Sequence, residues 1–140
     1  MLRKSRKIAL EGEINIKYSI EKGATHVAEE CIFCRIARGQ LPAEVVYQDE
    51  QVVAFKDIRP VAPVHILIIP RKHIPDLTAI TPADKELLGH IHLVAVQIAR
   101  ELGLAERGFR LVNNCKEEGG QVVYHLHFHL LGGRQLRILG

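Results

Sequence analysis

Hydrophobic and polar positions change rhythm several times along this chain. Residues 11–20 alternate, most clearly over Glu13-Ile14-Asn15-Ile16-Lys17-Tyr18-Ser19-Ile20, which is the period-two pattern of a half-buried strand. Its charged flanks and uncapped ends mark residues 1–30 as an added arm, separate in texture from a domain over residues 31–140. From Cys31 onward, short apolar runs are strongly punctuated. Residues 45–47 and 52–55 flank Gln48-Asp49-Glu50-Gln51 and predict a hairpin. Pro60 and Pro63 break the chain before a strand over residues 64–69, which Pro70 closes. Thr81 is a good helix N-cap, Pro82 suits the first helical position, and Asp84 favours the positive end of the dipole. Leu87, Ile91, Val94, Ile98 and Leu102 then define one apolar helix face, and Gly103 ends it. A strand over residues 109–112, a polar loop with Gly119-Gly120 and a strand over residues 122–131 complete the pattern, closed by Gly132-Gly133. Short strands, one long helix and no βαβ alternation predict an α+β domain on an antiparallel sheet.

Composition narrows the class. With 140 residues, 47% hydrophobic and 25% charged, the chain excludes disorder, collagen-like and coiled-coil arrays. The net charge of +3 is concentrated at Arg3, Lys4, Arg6 and Lys7; without those four, basic residues are one fewer than the acidic ones. The body therefore lacks a polyanion-binding field, and with no Trp it offers few stacking platforms, so no nucleic-acid partner is expected. Glu11 and Glu13 interrupt any apolar leader, and the apolar run over residues 64–69 is far too short to cross a bilayer. A soluble cytoplasmic protein without membrane partners is the expectation. Three cysteines, an odd number, argue against a disulfide framework. The pair Cys31-x-x-Cys34 reads as a redox dithiol, as two buried thiols or as half of a zinc site.

Eight histidines are many for this length, and three fall within five positions in His125-Leu126-His127-Phe128-His129-Leu130-Leu131. In a regular strand, residues two apart share a face about 6.6–7 Å from one another. Three imidazoles then line one face while Leu126, Phe128 and Leu130 anchor the other. Imidazole serves as nucleophile, acid or ligand near neutrality, and the upstream Gly119-Gly120 turn offers backbone N–H groups to an anion. His90 and His92, two apart on a helix, point to nearly opposite sides and read as ordinary helix residues.

The run from His125 to Leu131 resembles the histidine-triad signature, in which His alternates with apolar residues. Agreement extends over residues 31–133, including Ile32-Phe33-Cys34-Arg35-Ile36, Phe55-Lys56-Asp57-Ile58-Arg59-Pro60, Ala62-Pro63-Val64-His65 and Gly119-Gly120-Gln121. Gly132-Gly133-Arg134-Gln135 is most similar to the histidine-triad nucleotide-binding (Hint) branch. The resemblance implies an antiparallel sheet of about five strands with one long helix and a short N-terminal helix, its sheets continuous across a homodimer. It implies cleavage of a purine nucleoside 5′-phosphoramidate, or a related P–N or P–O bond at the α-phosphate of an AMP- or GMP-like nucleotide. Position by position, His127 would be the nucleophile, His129 would sit at the phosphate, and His65 would orient His127. Asn114 and Gly120 match phosphate-side positions, and Asp57 the acid that grips the ribose hydroxyls. Ile32, Phe33, Ile36, Phe55 and Ile58 would enclose the base. Cys31, Cys34, His73 and His125 match a structural Zn2+ pattern of a subset of the superfamily. Val122 stands where the branch usually has a Ser near the phosphate. A low-turnover nucleotide-binding regulator, or a dinucleoside polyphosphate hydrolase or nucleotidyl transferase, needs the same pocket and stays open at this point.

Overall fold

A computed structural model describes residues 31–139; the arm and its expected strand lie outside the described residues. Helix α1 (Ile32–Ala37) opens the described chain. The hairpin β1 (Val45–Gln48) and β2 (Val52–Lys56) follows, then β3 (Val64–Pro70), the long helix α2 (Lys85–Glu101), β4 (Arg110–Val112) and β5 (Phe128–Gly132). The five strands form one antiparallel sheet in the order β1-β2-β3-β5-β4. This is the α+β architecture read from the sequence.

Both faces of the sheet are covered, which explains the apolar run Ile66-Leu67-Ile68-Ile69 of β3. Val53, Phe55, Leu67 and Ile69 pack with Ile32, Phe33 and Ile36 of α1. Ala54, Ile66 and Ile68 pack on the other face with Ile91, Val94, Ala95 and Ile98 of α2, together with Leu126, Phe128 and Leu130. A strand buried on two sides loses its polar alternation, and the single polar residue of β3, His65, belongs to the site described below. The hairpin turns on Asp49, whose Oδ1 accepts from the amides of Gln51 and Val52 at 2.8 Å each. Burial works against the charge of Asp49, but hydrogen bonds led by the Tyr47 hydroxyl, with Gln51 N–H, His90 and Val52 N–H, hold its carboxyl down at about 2. His90 reaches Asp49 Oδ2 at 2.6 Å and so ties α2 to the hairpin. His92, on the other side of the helix, bonds the Leu88 carbonyl and packs edge-on to Phe128.

Two expectations need correction. Thr81 and Asp84 do form a capping box, but around a single 3-10 turn (Pro82–Asp84), with α2 starting after it. Leu102 is the C-cap and stands 47% exposed, so the buried face of α2 ends at Ile98 and Ala99. The strand expected over residues 122–131 begins only at Phe128. Side chains take the carbonyls that a longer ladder would use: His127 Nδ1–H donates to the His125 carbonyl at 2.7 Å, and Asn113 Nδ2–H to that of His127 at 2.9 Å. Leu126 N–H is drawn to the Ile74 carbonyl at 2.6 Å instead of to a strand.

Candidate functional site

The sheet face that carries α1 holds two adjoining histidine clusters. One is closed. Cys31, Cys34, His73 and His125 bring their ligand atoms within 4.8 Å of one another. Sγ of Cys31 and Nδ1 of His125 are 3.3 Å apart, Sγ of Cys34 and Nδ1 of His73 3.2 Å, and the two Nδ1 atoms 3.3 Å. Tetrahedral zinc with its usual bond lengths demands ligand-to-ligand edges of about 3.3–3.6 Å for N–N and S–N pairs. The donor set, two thiols and two imidazoles, fits that ion in kind and spacing. Local structure prepares it. Cys31 is the N-cap of α1 and its sulfur accepts from Cys34 N–H at 3.3 Å, which favours a thiolate. His125 Nε2–H donates to the Pro70 carbonyl at 2.8 Å, leaving the Nδ1 lone pair toward the sulfurs. Burial pushes the Cys31 thiol up to about 12 and holds His125 down at about 3, so in the absence of a cation both are neutral. The cysteines form no disulfide.

The second cluster opens onto a cavity of about 310 Å3. Of the residues expected there, Phe33, Phe55, Asp57, Ile58, His65, Asn114, Gly120, Val122, His127 and His129 line it. Ile32 and Ile36 do not. They lie four apart on α1, fully or almost fully buried in the core, while Phe33 alone turns to the cavity. Arg59, Val61, Leu67 and Val123 also line it; Arg59 sits inside the stretch Phe55 to Pro60 quoted for the resemblance, whereas Val61 falls between that stretch and Ala62 to His65. Val122 is 51% exposed at the cavity because the chain before Phe128 is not a strand, so the expected alternation never applies.

Tautomers in this cluster are dictated by the backbone. His127 gives Nδ1–H to the His125 carbonyl and keeps its Nε2 lone pair. Val61 N–H donates to His65 Nδ1 at 3.1 Å, so neutral His65 carries its proton on Nε2. That Nε2–H meets His129 Nδ1 at 2.9 Å and Asp57 Oδ2 at 3.3 Å. His129 therefore holds its own proton on Nε2. The sequence expectation that His65 orients His127 is corrected: its hydrogen bond goes to His129, and the His125 carbonyl orients His127. Asp57, His65 and His129 also converge within 4.8 Å, but a metal among them would have to displace the His65 proton. They form a hydrogen-bond relay instead.

Burial lowers His127 and His65, and burial followed by the neighbouring imidazoles brings His129 down to about 3. All three are neutral at pH 7. Phe33 joins the clusters, its ring centroid 5.1 Å from that of His127 and 6.0 Å from that of His125. Gly120 N–H is spent on the Glu117 carbonyl, so this amide is not free for an anion as the sequence suggested. Gly119 is required by close approach, since a Cβ there would lie 2.3 Å from the Cys115 carbonyl oxygen. No helix among the described residues is long and apolar enough to cross a membrane.

Comparison with known proteins agrees with this geometry. The HIT domain family matches residues 38–136. A purine nucleoside phosphoramidase of Escherichia coli (strain K12) is 50% identical over 110 residues, covering 79% of this chain and 92% of that one. The crystal structure of a HIT family hydrolase from Legionella pneumophila superposes with a TM-score of 0.76 at 52% identity, over 76% of this chain and 96% of that one. A zinc-bound histidine triad family protein from Mycobacterium smegmatis aligns with a TM-score of 0.66 at 33% identity, covering 77% and 78%.

Proposed function

The chain belongs to the HIT family, and from that premise we propose that it is a hydrolase of purine nucleoside 5′-phosphoramidates acting through a covalent nucleotidyl-histidine. The observation that carries this reading is the tautomer of His127. Its Nδ1–H is held by the His125 carbonyl, and a neutral imidazole so held presents Nε2 as a nucleophile at the cavity wall. Nε2 attacks the α-phosphorus, the bond from phosphorus to the leaving amine breaks, and water later cleaves the P–N bond to His127, releasing the nucleotide. The amine must gain a proton as it departs. His129, whose Nδ1 is occupied by His65, carries a proton on Nε2 to donate to the phosphoryl group or the amine.

The apolar walls, Phe33, Phe55, Ile58 and Leu67, suit a purine, and Asp57 is the one carboxylate among the described residues lining the cavity, placed for ribose hydroxyls. Cys31, Cys34, His73 and His125 would hold a structural zinc, which supplies a cross-link between α1 and the entry to β5 when bound. A homodimer with continuous sheets belongs to the same proposal; light scattering at 15.7 kDa would refute it. Val122 at the cavity favours slow turnover over the full rate of a hydroxyl-bearing relative, which keeps a binding role alongside hydrolysis. Mixing the purified protein with adenosine 5′-phosphoramidate and following AMP release tests the reading. An acid-labile nucleotidyl adduct should appear by intact-mass spectrometry of the quenched reaction; no AMP release overturns the activity.

A further inference from the structure

Gln121 is buried, 8% exposed, and although it stands in the Gly119-Gly120-Gln121 stretch it has no role assigned above and does not line the cavity. Its side-chain amide makes three hydrogen bonds. Oε1 accepts from Lys116 N–H at 2.7 Å, and Nε2 donates to the Pro75 carbonyl at 2.8 Å and to the Val123 carbonyl at 3.0 Å. The first bond secures the one described non-glycine residue with a left-handed backbone, Lys116 at φ 60°, where the loop is strained. The second ties the loop to the segment that begins at His73. The three residues after His73 each touch the stretch 115–126: the Ile74 carbonyl takes Leu126 N–H, the Pro75 carbonyl takes Gln121 Nε2–H, and Asp76 Oδ1 lies 4.0 Å from Cys115 Sγ. The loop so held supplies Asn114, Gly120, Val122 and Val123 to the cavity.

We propose that Gln121 is a positioning residue that clamps the pocket loop to the segment bearing the ligand His73, so that occupancy of the Cys/His cluster and the shape of the nucleotide pocket are coupled. A metal bound by His73 and His125 fixes the segment's start, and the amide passes that position to the loop. The coupling rests on the nucleotide-binding reading above, and its test separates the two.

The experiment measures AMP affinity by calorimetry and kcat and KM on adenosine 5′-phosphoramidate for wild type, Gln121→Glu and Gln121→Ala, with metal content and thermal melts alongside. Gln121→Glu keeps the shape and the acceptor for Lys116 but sets a carboxylate against two carbonyls. Kd and KM should rise about tenfold in both variants, with kcat within about threefold and metal content equal to wild type. Chelation of the metal should weaken AMP binding by about tenfold in wild type and less than about twofold in the variants, whose clamp is already broken. Variants within about twofold of wild type in Kd and KM overturn the inference. So does a loss of kcat at unchanged KM, or loss of the metal from Gln121→Glu. Should neither variant fold, the wild-type arm decides alone: AMP affinity unchanged on chelation overturns the coupling. Failure of wild type to bind AMP at all would instead remove the nucleotide reading.

Discussion

His125 and His127 are two residues apart, both buried, both neutral, and they serve different clusters. His125 spends Nε2–H on the Pro70 carbonyl and turns Nδ1 toward two cysteines. His127 spends Nδ1–H on the His125 carbonyl and keeps Nε2 for the cavity. Residue type and burial are the same at the two positions; the backbone acceptor differs. Which ring nitrogen a carbonyl claims decides whether an imidazole reads as ligand or nucleophile. The same rule separates the clusters as wholes. Sulfur and lone pairs converge in one, and donated protons run in sequence through the other, from Val61 to His65 to His129.

Substitutions should break the two clusters in different currencies. His127→Ala should lower turnover by at least about a thousandfold while AMP affinity stays within about threefold, because it removes the proposed nucleophile and leaves the walls. Residual activity within about tenfold of wild type would sink the assignment. Cys34→Ala should do the reverse first: metal analysis should fall from one zinc per chain, and stability by about 3 kcal/mol, as a cross-link is lost. Wild-type protein purified without added metal and carrying well under one zinc would count against the cluster's role.

Acid should reach both clusters late. Unfolded histidine takes up its proton near pH 6.5, whereas in the fold His125 and His129 stay neutral down to about 3. Their depressed values give stability that is complete above about pH 6.5 and is lost as the pH falls toward 3, by up to about 1.4 kcal/mol per pH unit for each group. Urea melts of metal-free protein between pH 7 and 4 check this; a flat profile contradicts it. His127 is lowered too, so the acid limb of kcat/KM should lie below the ordinary imidazole range. The smallest effect belongs to Val122→Ser, which should raise kcat/KM for an amine leaving group by at most about tenfold. No gain in a folded variant shows that the hydroxyl is not limiting.

Much of this was legible in the chain. The hairpin, β3, the long helix and the apolar partners of the histidine run follow from periodicity and punctuation. The residues that escaped did so for identifiable reasons. Alternation cannot announce that the His125 and His127 carbonyls are taken by side chains, so the last strand reads too long. A six-residue helix offers too few turns to tell that Ile32 and Ile36 point to the core and Phe33 to the cavity. The partner of His65 depends on a backbone amide at Val61, which no side-chain motif encodes. Gln121 escaped because its work is done by three carbonyl and amide contacts set by the loop's path.

Cys31 and His125 lie 94 positions apart in the chain, and Cys34 and His73 39 apart. Ligands so distant meet only after α1, the end of β3 and the approach to β5 have docked, and closing loops of that length costs chain entropy before any coordination bond rewards it. A metal that grips the finished set can do little to hasten folding. It would act on the way out: a loaded native state would have to release the ion, or carry it across the barrier, before α1 could peel from the sheet. Loading should therefore lengthen the lifetime of the folded chain against proteases far more than it shortens the time to reach that fold.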